Sequence, residues 1–188
     1  MRAGSATLAI LALAAALVSA ACSTVEPFDA PAVQAHFQPV IDDALAVAHP
    51  ETGDSGYRPA GKVLLLESDY AKRPAEFDSG ATAEAYGVPR AYAAFNTASV
   101  KAIAWIATSE RPGPEFEPPG AEGGKVPSIV QSLDVTVIDA VTGEVTAVES
   151  ISAEIPDDIE VAASRTWAMR FEPAKERVGQ WLLALPDR

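Results

Sequence analysis

One cysteine, two histidines and a shortage of cations set the first limits on this chain. A single cysteine, Cys22, cannot close an internal disulfide, so stability has to come from the core alone. The two histidines, His36 and His49, both precede Ser55, which restricts where imidazole chemistry can start. Lys and Arg number 14 against 26 Asp and Glu, for a net charge of −12 at pH 7. A surface that acidic repels phosphate backbones and anionic headgroups, which argues against nucleic acid and against peripheral lipid binding. The apolar run from Ala6 to Val18 covers about 13 uncharged residues, whereas a permanent membrane helix takes about 20. No internal repeat and no second composition regime divides the chain.

What is present begins with that run. Arg2 supplies a short cationic start, the apolar stretch follows, and small residues end it, as in an export signal spanning residues 1–21. Cys22 lies directly after Ser19-Ala20-Ala21 and so resembles the lipid-accepting cysteine of a bacterial lipoprotein signal, although Ser19 stands where that pattern usually has leucine. The competing reading is ordinary cleavage after Val18-Ser19-Ala20, which leaves Cys22 as a free thiol in a soluble periplasmic or secreted protein. A lone thiol is a poor choice in an oxidising compartment, and this favours lipidation of Cys22. Several acyl chains, at about 0.8 kcal/mol per buried methylene, hold a soluble domain on a membrane. By the same resemblance, Ser23 after the cysteine points to the periplasmic face of the outer membrane.

Residues 22–28 then read as a tether and 29–188 as one domain, long enough for a real core. Asp29 is a plausible N-cap for a helix carrying Val33, Phe37, Val40, Ile41, Ala44, Leu45 and Ala48 on one face, with Pro39 expected to kink or split it. Residues 49–61 form a polar loop, and Lys62–Glu67 a strand buried on both faces. Short helical pieces are expected around 82–86 and 89–95, and a second strand over Ser99–Thr108. Residues 110–127, rich in proline and glycine, read as an exposed loop. Leu133, Val135 and Val137 begin a hairpin that turns through Asp139–Gly143 and returns to about Ala153. Residues 156–171 carry no clear pattern. Glu172-Pro173 opens a last helix faced by Ala174, Val178, Trp181, Leu182 and Leu185 and stopped by Pro186.

These elements predict a layered α/β (α+β) domain: a sheet of about four strands with an antiparallel hairpin, packed by N-terminal and C-terminal helices. The run of Val88 to Trp105, then V-x-V-I-D-x-x-T-G-E-V over Val135–Val145, Ile155-Pro156 and the terminal helix resembles an uncharacterised group of small bacterial envelope proteins. The likeness covers about half the chain. Its motifs are structural, so it implies an architecture and carries over no active residue.

Chemistry is harder to find. Gly53-Asp54-Ser55-Gly56 resembles the surroundings of a nucleophilic serine in two hydrolase groups. In chymotrypsin-like proteases that serine comes late, after two barrels that supply His and Asp. In the Gly-Asp-Ser-Leu esterases its histidine comes near the C-terminus. Here both histidines precede Ser55 and Tyr57 replaces the last glycine, so a surface turn is the better account. Gly120–Val126 lacks both the first glycine and the Ser or Thr of a phosphate loop. His36, Asp29 and Asp42-Asp43 do not share a helical face as metal ligands, and Asp42-Asp43 and Asp157-Asp158 suit solvation. Trp105, Trp167 and Trp181 fit a core. No catalytic, cofactor or metal residue is therefore assigned.

The expected function is a lipid-anchored, non-catalytic binding or adaptor module. It would meet an envelope protein or cell-wall partner through the 110–127 loop or a sheet edge. The alternative is a small-ligand-binding protein or a hydrolase with a non-standard site. Its pocket would be lined by Trp105, Tyr92, Phe95 or Trp167 with Asp69 and Asp78. The sequence leaves the oligomeric state open.

Overall fold

Four consecutive apolar residues, Val63, Leu64, Leu65 and Leu66, are all buried, and only a strand covered on both faces hides such a run. The computed structural model describes residues 30–46, 56–68, 81–94, 96–118, 124–159, 161 and 167–188. In it this strand is β1 (Lys62–Ser68), which pairs parallel with β2 (Val100–Pro112). Antiparallel β3 (Ser128–Asp139) and β4 (Val145–Ser152) complete the order β1-β2-β3-β4. β5 (Met169–Phe171) pairs parallel with Ser128–Val130 of β3, just past the point where β4 ends opposite Ser132. The layered α/β domain expected from the sequence is thus present, with five strands where about four were expected.

Alternation along the strands sends side chains to two cores. Val63, Leu65, Ala102, Ala104, Ile106, Val135 and Val137 meet Tyr86 and Val88, which follow the short helix α2 (Ala81–Ala85), and Val178 and Leu182 of helix α3 (Glu176–Ala184). On the opposite face Leu64, Leu66, Ile103 and Ile138 meet Val33, Phe37, Ile41 and Ala44 of helix α1 (Ala30–Ala46). Full burial of such a side chain contributes about 1.5–3 kcal/mol. A smaller cluster joins Val126, Val161 and Met169 to Phe116, Ile159 and Phe171 under β5.

Several boundaries differ from expectation. α1 runs through Pro39 as one helix, because the buried stripe Val33-Phe37-Ile41-Ala44 holds both sides of the proline to the sheet. Its expected N-cap, Asp29, lies outside the described residues. The expected helical piece at 89–95 is instead a turn: Tyr92 N and Ala93 N both donate to Pro89 O. The chain then pairs with the edge of β1, Val63 N donating to Tyr92 O and Ala94 N to Val63 O. A strand edge takes the groups a helix would have used.

Residues 110–127 are not one exposed loop. β2 continues to Pro112, Phe116 and Val126 exchange backbone hydrogen bonds, and Val126 is buried. Residues 119–123 lie outside the described residues. α3 starts at Glu176 rather than at Glu172-Pro173, since β5 occupies the chain as far as Phe171. The hairpin turn is as expected: Asp139 Oδ1 accepts from Val141 N at 2.7 Å and Thr142 N at 2.9 Å, and Gly143 has φ +74°. No helix among the described residues is long and apolar enough to cross a membrane.

Candidate functional site

The segment from Ala83 to Ala94 runs along the outer edge of β1 and carries an open concavity. α2 ends in a two-bond cap, with Val88 N donating to Ala83 O and Gly87 N to Glu84 O, both at 2.9 Å. Gly87 takes the left-handed conformation that this cap requires, at φ +67°. The cap turns Val88 and Pro89 back over Ala83. The result is an open cleft of about 710 Å³ lined by Ala83, Glu84, Gly87, Val88, Pro89, Arg90 and Ala93. That size lies within the usual range of small-molecule sites, and the wall is apolar with one acid and one base.

At the end of the segment nearest the C-terminus of β1, Tyr86 Oη donates to Glu67 Oε1 at 2.6 Å, and Lys175 Nζ reaches the same oxygen at 2.6 Å. The lysine also lies 5.1 Å from the Tyr86 ring centroid. Burial works against charge on Glu67, but the hydrogen bonds from Lys175 and Tyr86 and the lysine's charge outweigh it, holding the carboxyl below its usual value. Burial first, and then the Glu67 carboxylate, push the Tyr86 phenol up. The three groups satisfy one another as a latch between β1, the end of α2 and the start of α3. A neutral phenol and a firmly ionised carboxylate are poor proton carriers near neutral pH.

At the other end, Lys62 Nζ donates to Ala91 O and Arg58 lies beneath Tyr92, 5.0 Å from its centroid. Arg58 is 3% exposed; its Nε and Nη2 both donate to Asp187 Oδ1, while Nη1 is buried with no partner. The backbone closes around it, Arg58 N donating to Pro186 O, Arg188 N to Arg58 O and Ala60 N to Arg188 O. The guanidinium therefore staples the chain's last residues to the approach to β1.

Of the pocket residues expected from sequence that are among the described residues, Tyr92 sits beside the cleft and the two tryptophans do not. Trp105 packs under α1 and Trp167 is 65% exposed, so that tryptophan is not core. Phe95, Asp69 and Asp78 lie outside the described residues, as do Cys22, His49 and Ser55. The final glycine of the Gly-Asp-Ser-Gly stretch has a packing role: a Cβ on Gly56 would come within 2.4 Å of Ala147 Cβ, and the next residue's N–H donates to Thr146 O. His36 is exposed and meets Phe37 edge-on, and Asp42, Asp43, Asp157 and Asp158 are exposed. In the Gly120–Val126 stretch, Lys125 pairs with Glu115 and Glu117. Among the described residues no three His, Cys, Asp or Glu side chains are grouped to hold a metal.

Sequence reasoning missed Arg58, Glu67, Tyr86 and Arg90. Gly87-Val88-Pro89 was the available signal, since a glycine followed by an apolar residue and proline marks a helix cap. Comparison with protein-family models, with curated proteins and with solved structures returned no match.

Proposed function

We propose that the protein is held at the cell envelope by lipid on Cys22 and binds a partner without turning it over. The observation that carries the anchor is the placement of Cys22, directly after Ser19-Ala20-Ala21 at the end of an uncharged leader. Ser23–Asp29 reaches at most about 25 Å even fully extended, which would keep α1 close to the bilayer. Binding is favoured over catalysis by how the charged groups are spent. Glu67, Tyr86 and Lys175 neutralise one another, and Arg58 is committed to Asp187 and the chain end.

Intact mass of protein recovered from membranes, wild type beside Cys22→Ala, tests the anchor. A diacylglyceryl adduct on wild type, lost in the variant together with membrane retention, is the expected outcome. An unmodified wild-type chain in the soluble fraction would sink the reading.

A further inference from the structure

The sheet face under α1 changes character along β3. At one end Ile138 packs against α1, and at the other β5 brings Met169 and Phe171 over Ser128–Val130. Between these apolar ends, alternation turns Thr136, Asp134 and Ser132 to the same face, with Trp105 of β2 opposite Thr136, and Ser150 and Ser152 of β4 opposite Asp134 and Ser132. The row on β3 is sunken: Thr136 and Ser132 are 8% and 7% exposed, whereas Ser150 on the flanking strand is exposed. Most of its polar groups are tied to one another. Ser132 Oγ and Ser152 Oγ lie 2.8 Å apart, and Ser150 Oγ donates to Asp134 Oδ1 at 2.6 Å. The Thr136 hydroxyl is the exception, with no hydrogen-bond partner among the described residues although the residue is more than nine-tenths buried. The sealed, unpartnered side-chain atoms among the described residues are Gln38 Oε1 and Arg58 Nη1, so the Thr136 hydroxyl opens into the depression. A nearly buried hydroxyl open on one side is a point where a ligand's polar group takes the place of water.

We propose that this depression binds an extended, uncharged glycan chain. Its hydroxyls both donate and accept, the dual character that sugar hydroxyls share, and the second oxygen of Asp134 is an acceptor for a sugar O–H. A peptide fits less well, because its N–H groups only donate and its carbonyls only accept. The one formal charge among the six residues is negative, in a chain of net charge −12, so anionic polymers are repelled. Trp105, partly buried against the α1 cluster, supplies an aromatic wall on which the apolar face of a ring can lie. From Thr136 to Ser132 the floor runs about 14 Å along the strand, room for more than one ring in a row. The proposal rests on the binding half of the reading above and is independent of the anchor.

Triacetylchitotriose and cellotriose are the probes, titrated into the full chain in a zwitterionic, sugar-free detergent and followed by backbone amide shifts and calorimetry. Trigalacturonate, monomeric N-acetylglucosamine and a blocked tetraserine peptide are the comparisons. At least one neutral trimer is expected to bind saturably, to shift amides of Ser132–Thr136 and Ser150–Ser152, and to bind more tightly than the monomer. Thr136→Val removes a hydroxyl that makes no bond within the described protein, so it should leave the melting temperature unchanged while weakening the trimer about tenfold. Asp134→Asn keeps an oxygen for Ser150 and is expected to weaken the trimer by a similar factor. Absence of shifts with both neutral trimers at about 10 mM, beyond the weakest affinity of interest, would overturn the proposal. So would tighter binding of trigalacturonate or of the serine peptide, or affinities untouched by both substitutions. A chain that binds the trimer but carries no lipid overturns the anchor alone. Cleavage of the bound trimer overturns the non-catalytic reading alone, and a lipidated chain that ignores both trimers overturns the glycan site alone.

Discussion

Glu67 shows how one carboxylate can stabilise a junction without serving chemistry. Its oxygen takes both Tyr86 Oη and Lys175 Nζ, and with its pKa held below the usual 4.5 it favours the folded state wherever it is ionised. A depressed carboxyl contributes fully above its unfolded pKa and loses the contribution as pH falls through the lower, folded value. Glu67→Gln should therefore cost stability at pH 7, by about 1 kcal/mol given that Lys175 and Glu67 are nearly half exposed. The gap to wild type should narrow as pH falls below about 4.5. Urea titrations of both proteins from pH 7 to pH 3 check this; a gap that held constant with pH would refute the ionic account. Tyr86 works in the opposite sense, because a raised phenol stabilises below its ordinary pKa of about 10 and the gain fades as pH climbs beyond it.

At the scale of elements, α3 and the cap of α2 meet in close backbone contact. A Cβ on Gly179 would lie 2.0 Å from Tyr86 O, so the two elements meet backbone to side-chain-free backbone. Helix propensity alone favours Ala over Gly by about 1 kcal/mol. The contact reverses the sign, because a carbonyl in a hydrogen-bonded cap has nowhere to move. Gly179→Ala is expected to destabilise by about 2 kcal/mol or more, the range of overpacking. A variant as stable as wild type in thermal unfolding would show that α3 can slide. This spacing also shapes the cleft, since Gly87 and Glu176 are brought together by the same approach.

Across the whole molecule, the described chain is closed by its last residues. Pro186–Arg188 make three backbone hydrogen bonds to Arg58 and Ala60, and Asp187 is the carboxylate partner of the buried Arg58. Deleting Pro186–Arg188 removes those bonds, at about 0.5–1.5 kcal/mol each, and leaves a buried cation unpaired. The expected result is a loss of roughly 3 kcal/mol or more. A denaturation midpoint within error of wild type would contradict it. The milder change Asp187→Asn keeps the backbone ladder and should cost less, because the Asp187 side chain is 54% exposed.

Local rules determined much of this. The uninterrupted Val63–Leu66 run specifies a doubly covered strand, and Asp139 with Gly143 specifies its hairpin turn. Alternation of Leu133, Val135 and Val137 and the spacing of Val178 and Leu182 place one core on the right face of each element. These signals are legible because periodicity and turn chemistry act over a few residues. Tertiary structure decided the rest. β5 is three residues long, too short for any period, and exists because Ser128–Val130 leaves an edge where β4 stops. Arg58 is buried by residues more than a hundred positions away, and Glu67, Tyr86 and Lys175 converge from three separate elements. The cleft likewise depends on β1's edge capturing Tyr92 and Ala94, a long-range pairing that no local pattern encodes.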